Sequence, residues 1–192
     1  MNTKLVVVIV TSAVALMGAT VWFSGPRAMA KAPEVSSPEQ RVAHGKHLVE
    51  TSGCHDCHTP FKMGPKGPEP DMSRALSGHP QQMELPPAPP AQGPWLVRVS
   101  ATNTAHAGPW GTSFTANLTP DKETGLGNWS EQNFIRTIRT GRHLGQGRAI
   151  LPPMPWPVYR NFSDDELRDV FSYLRSLPPR KNRVPLPRPP AS

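Results

Sequence analysis

The only two cysteines of this chain fall in one pentapeptide, Cys54-His55-Asp56-Cys57-His58. Two thiols one helical turn apart, followed at once by a histidine, form the C-x-x-C-H spacing that attaches a c-type haem through two thioethers. The next residue, His58, is then held under the ring, where its imidazole can bind the iron as proximal ligand. Other uses of a C-x-x-C pair fit less well. A structural zinc site needs a second ligand pair, and there is no third cysteine or suitably placed H-x3–5-H. A thioredoxin-like redox pair belongs to a βαβ pattern that the sequence lacks. A disulfide closing so short a loop stabilises little through chain entropy.

A bound haem also answers a question of composition. The chain has 192 residues, of which 25 are proline and only 36% are hydrophobic. A core built from side chains alone would be thin, and a buried tetrapyrrole supplies apolar mass. The N-terminus reads as an export element. An uncharged apolar run extends from Leu5 to Phe23, long enough to span a bilayer. Trp22 and Phe23 at its end suit a membrane interface. Ala28-Met29-Ala30 offers a site for signal peptidase, so residues 1–30 are read as a signal anchor or a signal peptide. The expected location is periplasmic, anchored to the inner membrane by residues 5–23, with a soluble periplasmic protein as the alternative. The formal charge of +7 is scattered rather than gathered in a patch. That argues against nucleic acid and suits docking to an acidic redox partner.

After a tether at 31–36, Ser37-Pro38-Glu39-Gln40 combines an N-cap, a proline at the first helical position and a capping-box glutamine. The helix it opens leads into the cysteine motif, with Val42, Gly45, Leu48 and Val49 at helical spacing. Residues 60–113 are rich in proline and glycine and hold no period. They are expected to form a long irregular insertion wrapping one haem edge. Trp95, Leu96, Val97 and Val99 could make a short strand there, and Trp110 and Phe114 could pack near the porphyrin or only within the loop. A second helix is predicted from Ser130 to Gly141, and a last one from the capping box Ser163-Asp164-Asp165-Glu166 to Pro178-Pro179. The Pro/Arg-rich tail at 180–192 is expected to be extended and solvated.

A haem electron carrier needs its sixth iron position closed. Of seven methionines, Met154 sits in Leu151-Pro152-Pro153-Met154-Pro155-Trp156-Pro157, a loop stiffened by proline between two predicted helices. Stiffness alone leaves two readings open, a thioether ligand or a methionine filling a gap in the core. His79 or His106 could instead serve as a sixth ligand. His44 and His47, at i and i+3, could share a metal or simply be surface residues. Arg148 could pair with a haem propionate or be solvated.

The segment Gly111-Thr112-Ser113-Phe114-Thr115-Ala116-Asn117-Leu118-Thr119-Pro120-Asp121, followed by Glu123-Thr124-Gly125-Leu126-Gly127-Asn128-Trp129-Ser130, resembles class I c-type cytochrome domains. It is most similar to the haem domains in cytochrome subunits of membrane-bound alcohol and aldehyde dehydrogenases. Met154-Pro155-Trp156 and Tyr173-Leu174-Arg175-Ser176 continue the likeness. The resemblance implies an all-α monohaem cytochrome c domain over residues 37–179. It implies thioethers at Cys54 and Cys57, His58 as proximal ligand and Met154 as distal ligand of one covalent haem c. It implies that Gly45 packs on the last helix near Tyr173. The expected function is electron transfer without catalysis by the domain itself, with redox proteins such as a dehydrogenase or a terminal oxidase as partners. Alternatives are a cytochrome subunit of a dehydrogenase complex, and a haem enzyme or sensor with a labile sixth ligand.

Overall fold

The computed structural model describes residues 37–89 and 94–190, so the expected anchor over residues 5–23 lies outside the described residues. Among those described, no helix is long and apolar enough to cross a membrane. Helix α1, Pro38–Thr51, starts where its sequence says it should. Ser37 Oγ accepts from the Gln40 amide at 3.3 Å, and Gln40 Oε1 accepts from the Ser37 amide at 2.7 Å. This reciprocal capping satisfies two amides that the first turn cannot pair internally. The same box, Ser163 with Glu166, opens α5, Asp164–Ser176. Helix α3, Glu131–Thr140, is capped by Ser130 and stopped by Gly141 in the left-handed region at φ 64°.

α1 and α5 cross closely because α1 has no side chain at the crossing. A Cβ built on Gly45 would stand 1.9 Å from the Asp169 carbonyl oxygen and 2.9 Å from the Val170 amide. The contact falls about one turn before Tyr173, the position that the resemblance implies. Asp169 is buried beside this crossing and is paired twice from α1. Arg41 Nε donates to its Oδ1 at 2.9 Å, and His44 Nδ1 lies 2.9 Å from its Oδ2. Val49 of α1, Leu167, Val170 and Leu174 of α5, and Phe134 and Ile138 of α3 form one apolar core. Phe134 and Phe171 stack within it, their ring centroids 5.3 Å apart.

The domain is not all-α, and the segment expected to be irregular carries the difference. A hairpin of β1, Phe61–Gly64, and β2, Gly67–Pro70, is followed by a three-stranded antiparallel sheet. That sheet orders β3, Arg98–Val99, then β4, Ala105–Gly108, then β5, Gly111–Phe114. Pro68 and Pro70 lie opposite Met63 and Phe61. Being two apart, they turn their missing N–H groups to the same outer edge, where no ladder bond is lost. Trp95 to Val97 do not join a strand, and Trp95 is 78% exposed.

The tail is extended, as its prolines require, but it is held rather than freely solvated. Asn182 is only 6% exposed. Its Nδ2 donates to the carbonyls of Ser77 and His79 at 2.6 and 2.9 Å, and its Oδ1 accepts from the Gln81 amide at 2.9 Å. Farther on, Arg188 exchanges two 2.9 Å backbone hydrogen bonds with Thr112 of β5.

Candidate haem site

The cysteine motif is itself a short helix, α2, Cys54–His58, entered through Gly53 at φ 70°. The left-handed residue ends the run from α1 and lets the chain turn before helix resumes. Cys54, Cys57 and His58 all line a cavity of about 600 Å³. Burial pushes the Cys54 thiol up to about 11 and raises that of Cys57 as well. Both are neutral thiols at neutral pH. This separates them from a thioredoxin-type pair, which works through a depressed thiol pKa.

His58 is 7% exposed, and its Nδ1 lies 2.8 Å from the carbonyl oxygen of Ala116. A carbonyl can only accept, so Nδ1 carries the proton and Nε2 keeps a lone pair free. Burial also holds the imidazole below its ordinary pKa. A neutral ring with one fixed tautomer is the form that ligates a metal, and the Ala116 carbonyl behind it fixes its orientation.

Met154 lines the same cavity and packs partly buried against the apolar core. Its loop is tied on both sides. Before it, Ser113 Oγ donates to the Pro152 carbonyl at 2.6 Å. After it comes the short helix α4, Trp156–Tyr159. There Tyr159 Oη donates to the Ser52 carbonyl at 2.7 Å, at the end of α1. The Trp156 ring lies where a Cβ on Gly141 would be, 2.3 Å away, so the glycine that stops α3 also seats this loop. Leu126, Trp129, Ile138 and Leu174 supply apolar walls.

The other expected candidates separate clearly. His79 is fully buried with both nitrogens engaged, Nδ1 at 2.9 Å from Thr104 Oγ1 and Nε2 at 3.1 Å from the Met83 carbonyl. It has no lone pair to offer an iron. His44 is committed to Asp169, and no cluster of three or more His, Cys, Asp or Glu that could hold a metal ion exists among the described residues. Phe114 lines the cavity, whereas the Trp110 ring folds back over Gly108. Arg136, Arg139 and Arg142 are bonded elsewhere, to Asn133, Asp164 and the Gly147 carbonyl. Arg148 borders the cavity. His106, weighed as a sixth ligand, does line the cavity, from β4; sequence reasoning missed the wall made beside it by Ser113 of β5 and Thr115 just after it, and by Val184 and Pro185 of the tail.

An apolar cavity with two thiols and a pre-oriented imidazole on one side, and a tethered thioether also on its wall, defines a haem-binding electron-transfer domain. The cytochrome c family model matches residues 42–178, and the chain belongs to that family. Its covalently bound haem c fits the Cys54–Cys57 pair. A nicotinate dehydrogenase component of Pseudomonas putida is 38% identical over 77 residues, which are 40% of this chain and 6% of that protein. The cytochrome c subunit of a quinone-linked alcohol dehydrogenase of Gluconobacter oxydans is 26% identical over 135 residues, 70% of this chain and 21% of that subunit. The gluconate 2-dehydrogenase cytochrome c subunit of Pantoea cypripedii is 37% identical over 67 residues, 35% of this chain and 15% of the subunit. The chain thus matches about a fifth or less of the length of these relatives.

Proposed function

We propose that this domain carries single electrons outside the cytoplasm for a dehydrogenase, its iron held between His58 and Met154. The observation that carries this reading is the tethering of Met154. A sulfur on the cavity wall, in a loop fixed to β5 on one side and to α1 on the other, suits a permanently closed iron better than a labile site. When bound, the haem supplies reversible one-electron exchange at its iron. The protein's part is to hold and to exclude. Ala116 fixes the His58 ring through Nδ1. The soft Met154 thioether favours the reduced metal and so raises the potential. The apolar walls keep water from the metal.

The partner reading draws on relatives that are themselves named as dehydrogenase cytochrome subunits. Nothing favours a terminal oxidase. The basic balance of the chain supports an acidic docking face on the partner. The apolar run at 5–23 supports export and membrane attachment. Met154→Ala tests the proposal. The variant should lose the ferric sulfur-to-iron charge-transfer absorption, bind carbon monoxide readily and show a lower midpoint potential. A variant with the parent's spectrum and potential refutes the distal assignment. Ready carbon monoxide binding by the parent would favour the enzyme or sensor instead.

A further inference from the structure

The match to the cytochrome c family ends at residue 178, but the chain does not leave the cavity there. Arg183, Val184, Pro185, Leu186 and Pro187 line the same cavity as the cysteine motif and Met154. The stretch is pinned at both ends. Before it, the buried Asn182 grips the Ser77 and His79 carbonyls and the Gln81 amide, and its own amide donates to Thr124 Oγ1 at 3.0 Å. After it, Arg188 is bridged to Thr112 by two backbone hydrogen bonds. The Arg188 guanidinium donates to the Leu85 carbonyl at 2.7 Å and lies 5.5 Å from the centroid of Phe114, a ring that also lines the cavity. This end sits so close to β5 that a Cβ on Gly111 would stand 2.1 Å from the Arg188 carbonyl oxygen. Residues 183–187 therefore run between two fixed points along the cavity wall.

The composition of this span suits an apolar ligand. Pro185 and Pro187 have no N–H, so they can lie against a tetrapyrrole without leaving a backbone donor unpaired. Their fixed φ also lowers the entropy lost when the span is held extended. Val184, Pro185 and Pro187 are half-buried, and Leu186, 78% exposed, adds further apolar surface to the same wall. Resting on the reading of this cavity as the haem site, we infer that residues 183–187 belong to the haem pocket. They form a strap, outside the family-matched stretch, that packs on one edge of the macrocycle and keeps water from it.

The strap thereby acts on the potential. Ferric haem carries one more positive charge than ferrous haem, so water admitted at its edge favours the ferric state. The test uses the matured holoprotein. In the ferrous low-spin state, nuclear Overhauser contacts should join haem substituent protons to the Val184 methyls and the Pro185 ring. A variant carrying Val184→Ser, Pro185→Gly, Leu186→Ser and Pro187→Gly keeps both anchors and the net charge. It should shift the reduction equilibrium toward ferric iron by roughly threefold to tenfold, about 28–59 mV downward. Val184→Ile, which keeps the apolar contact, should leave the potential at the parent's value. Should the fourfold variant fail to retain haem, the contacts in the parent decide the matter. A haem-bearing parent without those contacts overturns this inference alone, as does a haem-bearing fourfold variant with the parent's potential. A chain whose mass lacks the haem overturns the reading of the cavity and this inference together.

Discussion

Gly45→Ala is the smallest change that should loosen the helical frame. The added methyl would lie 1.9 Å from the Asp169 carbonyl oxygen and 2.4 Å from its carbon, both backbone atoms that cannot rotate away. Ordinary contact begins near 3.4 Å, so α1 and α5 must part by more than an ångström. Overpacking of this kind costs about 1–3 kcal/mol, and the need to move two backbones places it at the upper end. Alanine returns about 1 kcal/mol of helix propensity over glycine. The net expectation is a loss of about 2 kcal/mol, or roughly 4–8 °C in Tm for a domain of this size. Parting the helices also strains the bonds from Arg41 and His44 to the buried Asp169 carboxylate. The assay is thermal and denaturant unfolding of the holoprotein, followed by circular dichroism and by the haem band. A Tm equal to or above the parent's would show that the crossing yields freely and would refute the close-packing argument.

Two further outcomes follow from the polar framework. Asn182→Ala removes three hydrogen bonds, two of them to carbonyls that no water reaches easily. It should cost about 2–3 kcal/mol and expose the tail to limited proteolysis near residue 180; an uncut tail would contradict its role as a strap. Acid should unfold the protein through its exposed carboxylates. The hydrogen bond from the Thr124 hydroxyl holds Asp121 below its ordinary pKa, and that from Arg139 does the same for Asp164. Folded values below unfolded ones mean stability that is present above about pH 4 and lost as pH falls through the folded values. Denaturant midpoints measured from pH 6 to pH 2 should show a shallower acid limb for Asp121→Asn than for the parent, and identical limbs would refute the assignment.

Local chemistry was legible in the sequence wherever it was carried by neighbours in the chain. The two capping boxes, the Ser130 cap and the Gly141 stop each need only four or five residues to be recognised. The haem motif and the proline-stiffened Met154 loop are similarly self-contained. The hairpins were not legible, because strands of four residues interrupted by proline and glycine have no alternation to read. What makes Gly67–Pro70 a strand is the partner Phe61–Gly64, not its own composition. Conversely, Trp95-Leu96-Val97 has the composition of a strand and no pairing partner in the described structure. The tail misled in the same way. Its prolines and basic residues describe a solvated end, while its fate is decided by one asparagine and two carbonyls about a hundred residues earlier.

That asparagine belongs to a chain of contacts that reaches His58. Asn117, also buried, donates through Nδ2 to the Arg180 carbonyl at 2.7 Å, while its Oδ1 accepts from the Thr119 amide and hydroxyl. The Arg180 amide in turn donates to the Thr119 hydroxyl at 3.0 Å. These bonds clamp residues 117–119 to the start of the tail. The residue just before the clamp is Ala116, whose carbonyl accepts from His58. On the other strand of this path, the His58 carbonyl accepts from the Gly78 amide, between Ser77 and His79, the two residues that Asn182 grips. His58, the proposed proximal ligand, is thus held at its ring and at its backbone by segments that the tail ties together. The helices position the cysteines and part of the apolar wall, with Leu126, Trp129 and Phe114 completing it from loop and strand. The orientation of the imidazole, on which ligand basicity depends, is set by a polar net joining the motif, the 115–119 loop and the tail.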